Sequence, residues 1–114
     1  MTSLTIYHLK SCDTCRKALK ALRAAGHNIK AVDVRADGMK PAELAAAEQA
    51  LGWEALLNTR SATWRGLSEA QRADMSGSKA LTLMQAHPTL MKRPVIMGEQ
   101  TTAGWTKAQQ DVWL

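Results

Sequence analysis

Cys12 and Cys15 are the two cysteines of this 114-residue chain, and they stand as Cys-x-x-Cys within HLKSCDTCRKALKALRAAG, His8 to Gly26. The residues before them read as a strand, Leu4 to Leu9, rich in strand formers such as Ile6 and Tyr7. The residues after them read as a helix, Asp13 to Ala25, closed by Gly26. A cysteine at such a strand-to-helix junction faces unpaired backbone N–H groups and the positive end of the helix dipole. Cys12 is therefore expected to form a stabilised thiolate, below the free-cysteine value of about 8.5. His8, Lys10, Arg16 and Lys17 lie close enough in sequence to add to this, and Asp13 opposes them. Cys15 falls on the apolar stripe of the helix with Ala18, Leu19, Leu22 and Ala25, the place of a less exposed, resolving partner. The pair by itself also admits two core-packed thiols. It admits half of a zinc site too, which would need two further ligands from His8, His27, His87 or carboxylates; no second Cys-x-x-Cys and no His-x-x-x-His supplies them.

Elements further along the chain must position this pair. Ile29 to Val34 reads as a second strand, alternating at Lys30 and Asp33, and Asp37-Gly38 as a turn. Pro41 suits the first turn of an alanine-rich helix to about Leu51. Between Gly52 and His87 no convincing strand is present; Ser68 and Gln71 have capping-box spacing, and Lys79 to Ala86 reads as a helix. Val95–Met97 and Thr101–Ala103 read as a hairpin, and Thr106 with Gln109 opens a last helix. The order is β-α-β-α, a helical middle at about residues 52–88, then β-β-α, which predicts an α/β fold in one domain, 1–114. It is the thioredoxin-like arrangement with a helical insertion.

Composition narrows the function classes. Hydrophobic content of 46% and charged content of 22% describe a globular chain able to bury a core. No apolar run is long enough for a membrane span, and Met1 to Leu9 lacks a secretory signal pattern, so a cytoplasmic setting is expected, with any Cys12–Cys15 disulfide transient. The net charge of +5 is spread along the chain, without the clustered cations and stacking aromatics of a nucleic-acid surface. The four tryptophans, Trp53, Trp64, Trp105 and Trp113, read as core or groove-wall residues.

Three stretches in order, YHLKSCDTCRKALKALRAAG, LGWEALLNTRSATWRGL and MKRPVIM, resemble the arsenate reductase ArsC/Spx/YffB family over essentially the whole chain. The middle stretch is most similar to its YffB-like branch. The resemblance implies that Cys12 is the nucleophile and that His8 lies near it. It implies that Arg60 and Arg93 hold an anionic group of substrate or glutathione, and that Pro94 is the cis-proline before the third strand. Arginine forks suit such anions. The arsenate reductases carry a further arginine after the fourth strand, where this chain has Gly104-Trp105.

The function so implied is a small thiol-dependent reductase, with glutathione as co-substrate and no bound cofactor or metal. Cys12 attacks a disulfide or oxyanion, glutaredoxin is a candidate partner, and Cys15 or glutathione resolves the adduct. Two alternatives follow from the same resemblance. One is an Spx-like redox-sensing regulator binding the RNA polymerase alpha subunit; the other is a bona fide arsenate reductase.

Overall fold

The computed structural model describes residues 3–114; Met1 and Thr2, part of the stretch read for a signal, lie outside the described residues. The described chain forms two compact units, one comprising the residues up to Gly38 together with Arg93–Leu114, the other Met39–Lys92.

The first unit holds a sheet of four strands among the described residues: β1 (Ser3–His8), β2 (Asn28–Asp33), β3 (Val95–Met97) and β4 (Thr101–Ala103), in the order β2-β1-β3-β4. β1 runs parallel to β2, with Ser3 opposite Asn28 and His8 opposite Asp33. β3 is antiparallel to both β1 and β4. The crossover between the parallel strands is the helix α1 (Asp13–Ala24), which is the connection a parallel pair requires. The closing helix is α7 (Lys107–Trp113), and the elements between β2 and β3 belong to the second unit.

Burial follows the sequence pattern. Cys15, Ala18, Leu19 and Leu22 form the buried stripe of α1. Ala25, expected to extend that stripe, is instead the exposed C-cap residue: the helix stops one residue earlier, and Gly26 takes the left-handed conformation at φ +89°. Leu4, Ile6, Leu19, Leu22, Ile96 and Trp113 make one core cluster, with Ile29 and Trp105 packed against it. Burying each large aliphatic side chain of such a cluster is worth about 1.5–3 kcal/mol. Of the four tryptophans, Trp113 is buried and Trp53, Trp64 and Trp105 are half-buried. The Trp113 indole N–H donates to Thr102 Oγ1 at 2.9 Å, so its polar atom enters the core with a partner.

The second unit is helical: α2 (Pro41–Leu51), α3 (Trp53–Leu56), α4 (Ala62–Arg65), α5 (Glu69–Arg72) and α6 (Gly77–Ala86), then a 3-10 turn at Pro88–Leu90. Serine starts three of these helices: Ser61, Ser68 and Ser76 each accept a backbone N–H from three residues on. The Ser68–Gln71 box expected from the spacing is present, with Gln71 Oε1 returning to the Ser68 N–H at 2.9 Å. α6 begins at Gly77, two residues before the expected Lys79, because Ser76 rather than the first apolar residue sets its start. An isolated bridge pairs Leu57 with Met91, a contact between residues too far apart for local patterns to reveal.

One consequence is open to measurement. Thr102→Val keeps the shape of a β-branched residue but leaves the Trp113 indole N–H buried without its acceptor. Urea unfolding should show a loss of about 1–3 kcal/mol; an unchanged midpoint would mean that this hydrogen bond does not matter.

Candidate active site

Three chain segments meet at one edge of the sheet because of its register. β1 and β2 both end there, at His8 and Asp33, which lie opposite each other. β3 runs the other way and begins there, with Val95 opposite Tyr7. The residues leaving β1, 9–12, therefore lie beside those entering β3, Arg93 and Pro94. The Arg93–Pro94 peptide bond is cis. Pro94 is buried, and its carbonyl accepts the Gly104 N–H at 3.0 Å.

Cys12 is the N-cap residue of α1, in extended conformation at φ −92° and ψ 111°. Its carbonyl accepts the first helical N–H, from Arg16, at 3.1 Å, and its own N–H donates to the Leu9 carbonyl at 2.9 Å. The sulfur takes the role usually played by a serine or aspartate oxygen, accepting the Cys15 backbone N–H at 3.3 Å. The side chain is half-buried, whereas Cys15 has no exposed surface. Both thiols are free.

The two sulfurs are driven in opposite directions. Partial burial pushes the Cys12 thiol up, but the Cys15 thiol and backbone N–H and the Arg93 guanidinium more than offset it, so Cys12 lies below its ordinary value. For Cys15, burial and the hydrogen bond given to Cys12 outweigh the Leu9 backbone donor, raising it from the ordinary 9.0 to about 12. One sulfur is thus favoured as an anion and the other as a donor to it.

The cation that acts on Cys12 is Arg93, from a distant part of the chain. Arg16, expected to help from its nearness in sequence, is otherwise engaged: its guanidinium pairs with Asp13 and donates to the Lys10 carbonyl at 2.7 Å. His8 is half-buried at the end of β1, opposite Asp33, whose carboxylate it favours electrostatically. Arg60 is an exposed residue of the second unit; its N–H donates to Asn58 Oδ1 at 3.1 Å and its carbonyl accepts from Arg65 Nη1 at 2.9 Å. Trp105 is half-buried against the core cluster of the first unit. Among the described residues no group of three or more His, Cys, Asp or Glu is placed to hold a metal ion. Likewise no described helix is long and apolar enough to cross a membrane.

Nothing in the sequence marks Asp33 as a site residue. It is buried, with 4% of its surface exposed, and accepts three backbone N–H groups, one of them from Lys10 in the turn before Cys12. A polar residue near the end of a strand gives no signal of this by itself; the third donor comes from 23 residues away.

A parallel β-α-β unit with a cysteine capping its helix, followed by an antiparallel hairpin and a closing helix, defines the thioredoxin-like class. The chain belongs to the ArsC family, whose sequence model matches residues 7–111. An uncharacterized protein of Haemophilus influenzae is 45% identical over 96 residues, 82% of each chain. The solved structure of a YffB protein superposes with a TM-score of 0.90 at 34% identity, covering 97% of this chain and 98% of its own. The solution structure of an arsenate reductase (ArsC) related protein from Brucella melitensis gives a TM-score of 0.75 at 33% identity, over 97% and 93% of the two chains. The likeness to the YffB protein agrees with the branch expected from the middle stretch.

The opposed sulfurs make a prediction for stability. Cys15 has its folded value raised, so its contribution is complete below the unfolded value and is lost as pH rises toward about 12. Cys12 has its folded value lowered, so its contribution is complete above the unfolded value and is lost as pH falls through the folded one. Unfolding free energy measured in urea should therefore drop between the ordinary 9.0 and about 12 in the wild type. The drop should be shallower in Cys15→Ala. Equal slopes for the two proteins would contradict the assignment.

Proposed function

We propose that this protein is a thiol-dependent reductase of the YffB-like branch that uses glutathione to reduce a mixed disulfide. The observation that carries the reading is the Cys12 sulfur, capping α1, stabilised as an anion by the Cys15 donors and the Arg93 guanidinium. A thiolate that is half-exposed and has a fixed cation beside it is equipped for nucleophilic attack on sulfur.

In the first step the Cys12 thiolate attacks the glutathionyl sulfur of a mixed disulfide. A Cys12–glutathione disulfide forms, the substrate's S–S bond breaks, and the substrate leaves as a thiolate that takes a proton from water. In the second step the thiolate of another glutathione attacks the glutathionyl sulfur on Cys12. Oxidised glutathione forms and the Cys12 thiolate returns. Each turnover reduces the substrate's sulfur to a thiol and oxidises one glutathione thiol, which leaves joined to the glutathionyl group of the substrate as oxidised glutathione. Arg93, beside the sulfur, offers its fork to an anionic group of the substrate or of glutathione.

Glutathione is assigned the second step because the Cys15 thiol has no exposed surface, and burial, the largest cause that raises it, persists when Cys12 is in a disulfide. A disulfide is assigned as substrate in preference to arsenate because the resemblance puts Gly104-Trp105 where the arsenate reductases carry their further arginine. Arg60 enters through the family resemblance alone.

The test is a glutathione-coupled assay with a glutathionylated peptide. Cys12→Ser should fall to background, while Cys15→Ser, which keeps a short hydroxyl donor, should retain turnover within about tenfold of wild type. Full activity in Cys12→Ser would overturn the function, and loss of activity in Cys15→Ser equal to that in Cys12→Ser would move resolution to Cys15.

A further inference from the structure

We infer that Asp33 is a positioning residue for Cys12: by accepting the Lys10 N–H it fixes the Leu9–Ser11 turn that presents Cys12 as the cap of α1. The inference rests on the reading of Cys12 as nucleophile and adds a residue that touches neither sulfur.

The geometry divides the Asp33 carboxylate into two tasks. Oδ1 accepts the N–H groups of Arg35 at 2.8 Å and Ala36 at 2.9 Å, an ordinary local turn at the end of β2. Oδ2 reaches across to β1's exit and accepts the Lys10 N–H at 3.1 Å. Lys10 is held on its other side as well, its carbonyl accepting from Arg16 Nη1 at 2.7 Å. The neighbouring Leu9 carbonyl receives the Cys12 N–H at 2.9 Å. The turn before the nucleophile is thus tied at three successive points, and the tie at Lys10 N–H leads back to Asp33.

The local turn alone would be served by asparagine or serine. The Lys10 contact calls for a group that accepts on both oxygens, which an ionised carboxylate does and an amide does not. Burying that charge is costly unless donors surround it. Here the Ala36 N–H leads in offsetting the burial, followed by those of Arg35 and Lys10 and by the charge of His8 from β1. From its own turn the carboxylate of Asp37 accepts the Asp33 N–H at 3.1 Å. The balance holds the Asp33 carboxyl below the usual carboxylate range, so the tie is present at neutral pH.

A slack turn would let Cys12 leave its capping geometry, and the thiolate would lose the Cys15 N–H and the Arg93 fork together. The sign of that effect is informative. Removing a negative charge near a thiolate, taken alone, lowers its pKa; losing the capping position raises it.

The experiment uses the full chain with Asp33→Asn and, as a second variant, Asp33→Ser, both of which keep an acceptor for the local turn. Two readouts are compared with wild type: amide hydrogen exchange at Lys10 and Cys12 by NMR, and the pH midpoint of Cys12 alkylation by iodoacetamide. Exchange at both amides is expected to quicken about tenfold or more, the equivalent of one lost hydrogen bond. Alkylation is expected to show its midpoint displaced upward, toward the free value of about 8.5. Asp37→Asn touches the same turn but not Lys10, and is expected to leave the midpoint where it is. Unchanged exchange would overturn the inference. So would faster exchange with an unmoved or lowered midpoint, or an equal upward shift in Asp37→Asn. A wild-type midpoint already at the free value would count against Cys12 as nucleophile instead, and the exchange comparison would then decide on its own whether Asp33 holds the turn.

Discussion

The sulfur of Cys12 caps α1, and the functional architecture of the first unit is arranged around that one hydrogen bond from the Cys15 N–H. A capping sulfur lies at the positive end of the helix, where a negative charge is favoured by about 0.3–1 kcal/mol when exposed and up to about 2 when partly buried. The same bond makes Cys15 the first buried residue of the helix stripe, so the residue that supports the thiolate is also the one that anchors α1 to the core. Thiolate stabilisation and helix packing therefore use the same turn of backbone. Shifting the register of α1 by one residue would move Cys15 off the apolar stripe and the Cys12 sulfur off the cap.

The sheet supplies what the helix cannot. A helix end and a neighbouring donor favour a thiolate, but a fixed cation requires a third segment. The antiparallel entry of β3 beside the parallel exit of β1 brings Arg93 there, just before the buried Pro94. The exit of β2 brings Asp33 to the same edge, opposite His8. The cation and the buried carboxylate have different neighbours: Arg93 acts on the sulfur, and Asp33 acts on the backbone leading to it.

Much of this was legible in the sequence, for identifiable reasons. The strand, the Cys-x-x-Cys and the helix after it follow from local periodicity, and the hairpin at Val95–Met97 and Thr101–Ala103 was placed to the residue. Serine caps at Ser61 and Ser76 could have been read in the middle segment and would have set the starts of α4 and α6. What local reading misassigned was the source of the positive charge: Arg16 is near Cys12 in sequence, yet the adjacent Asp13 and the Lys10 carbonyl claim its guanidinium. Arg93 was found through the family resemblance and not from spacing, because its nearness depends on strand order. Asp33 was missed altogether, since its decisive donor is brought close only by the pairing of β1 with β2.

The cap and the Arg93 guanidinium together favour the Cys12 thiolate. The most direct measurement is a pH titration of the Cys12 thiolate itself in wild type and in Arg93→Met, a variant that keeps the length of the side chain and removes its charge. The expected result is a wild-type midpoint below the free-cysteine value of about 8.5, and a midpoint in Arg93→Met displaced upward from it. A wild-type midpoint at the free value, or one that does not move when Arg93 loses its charge, would contradict it.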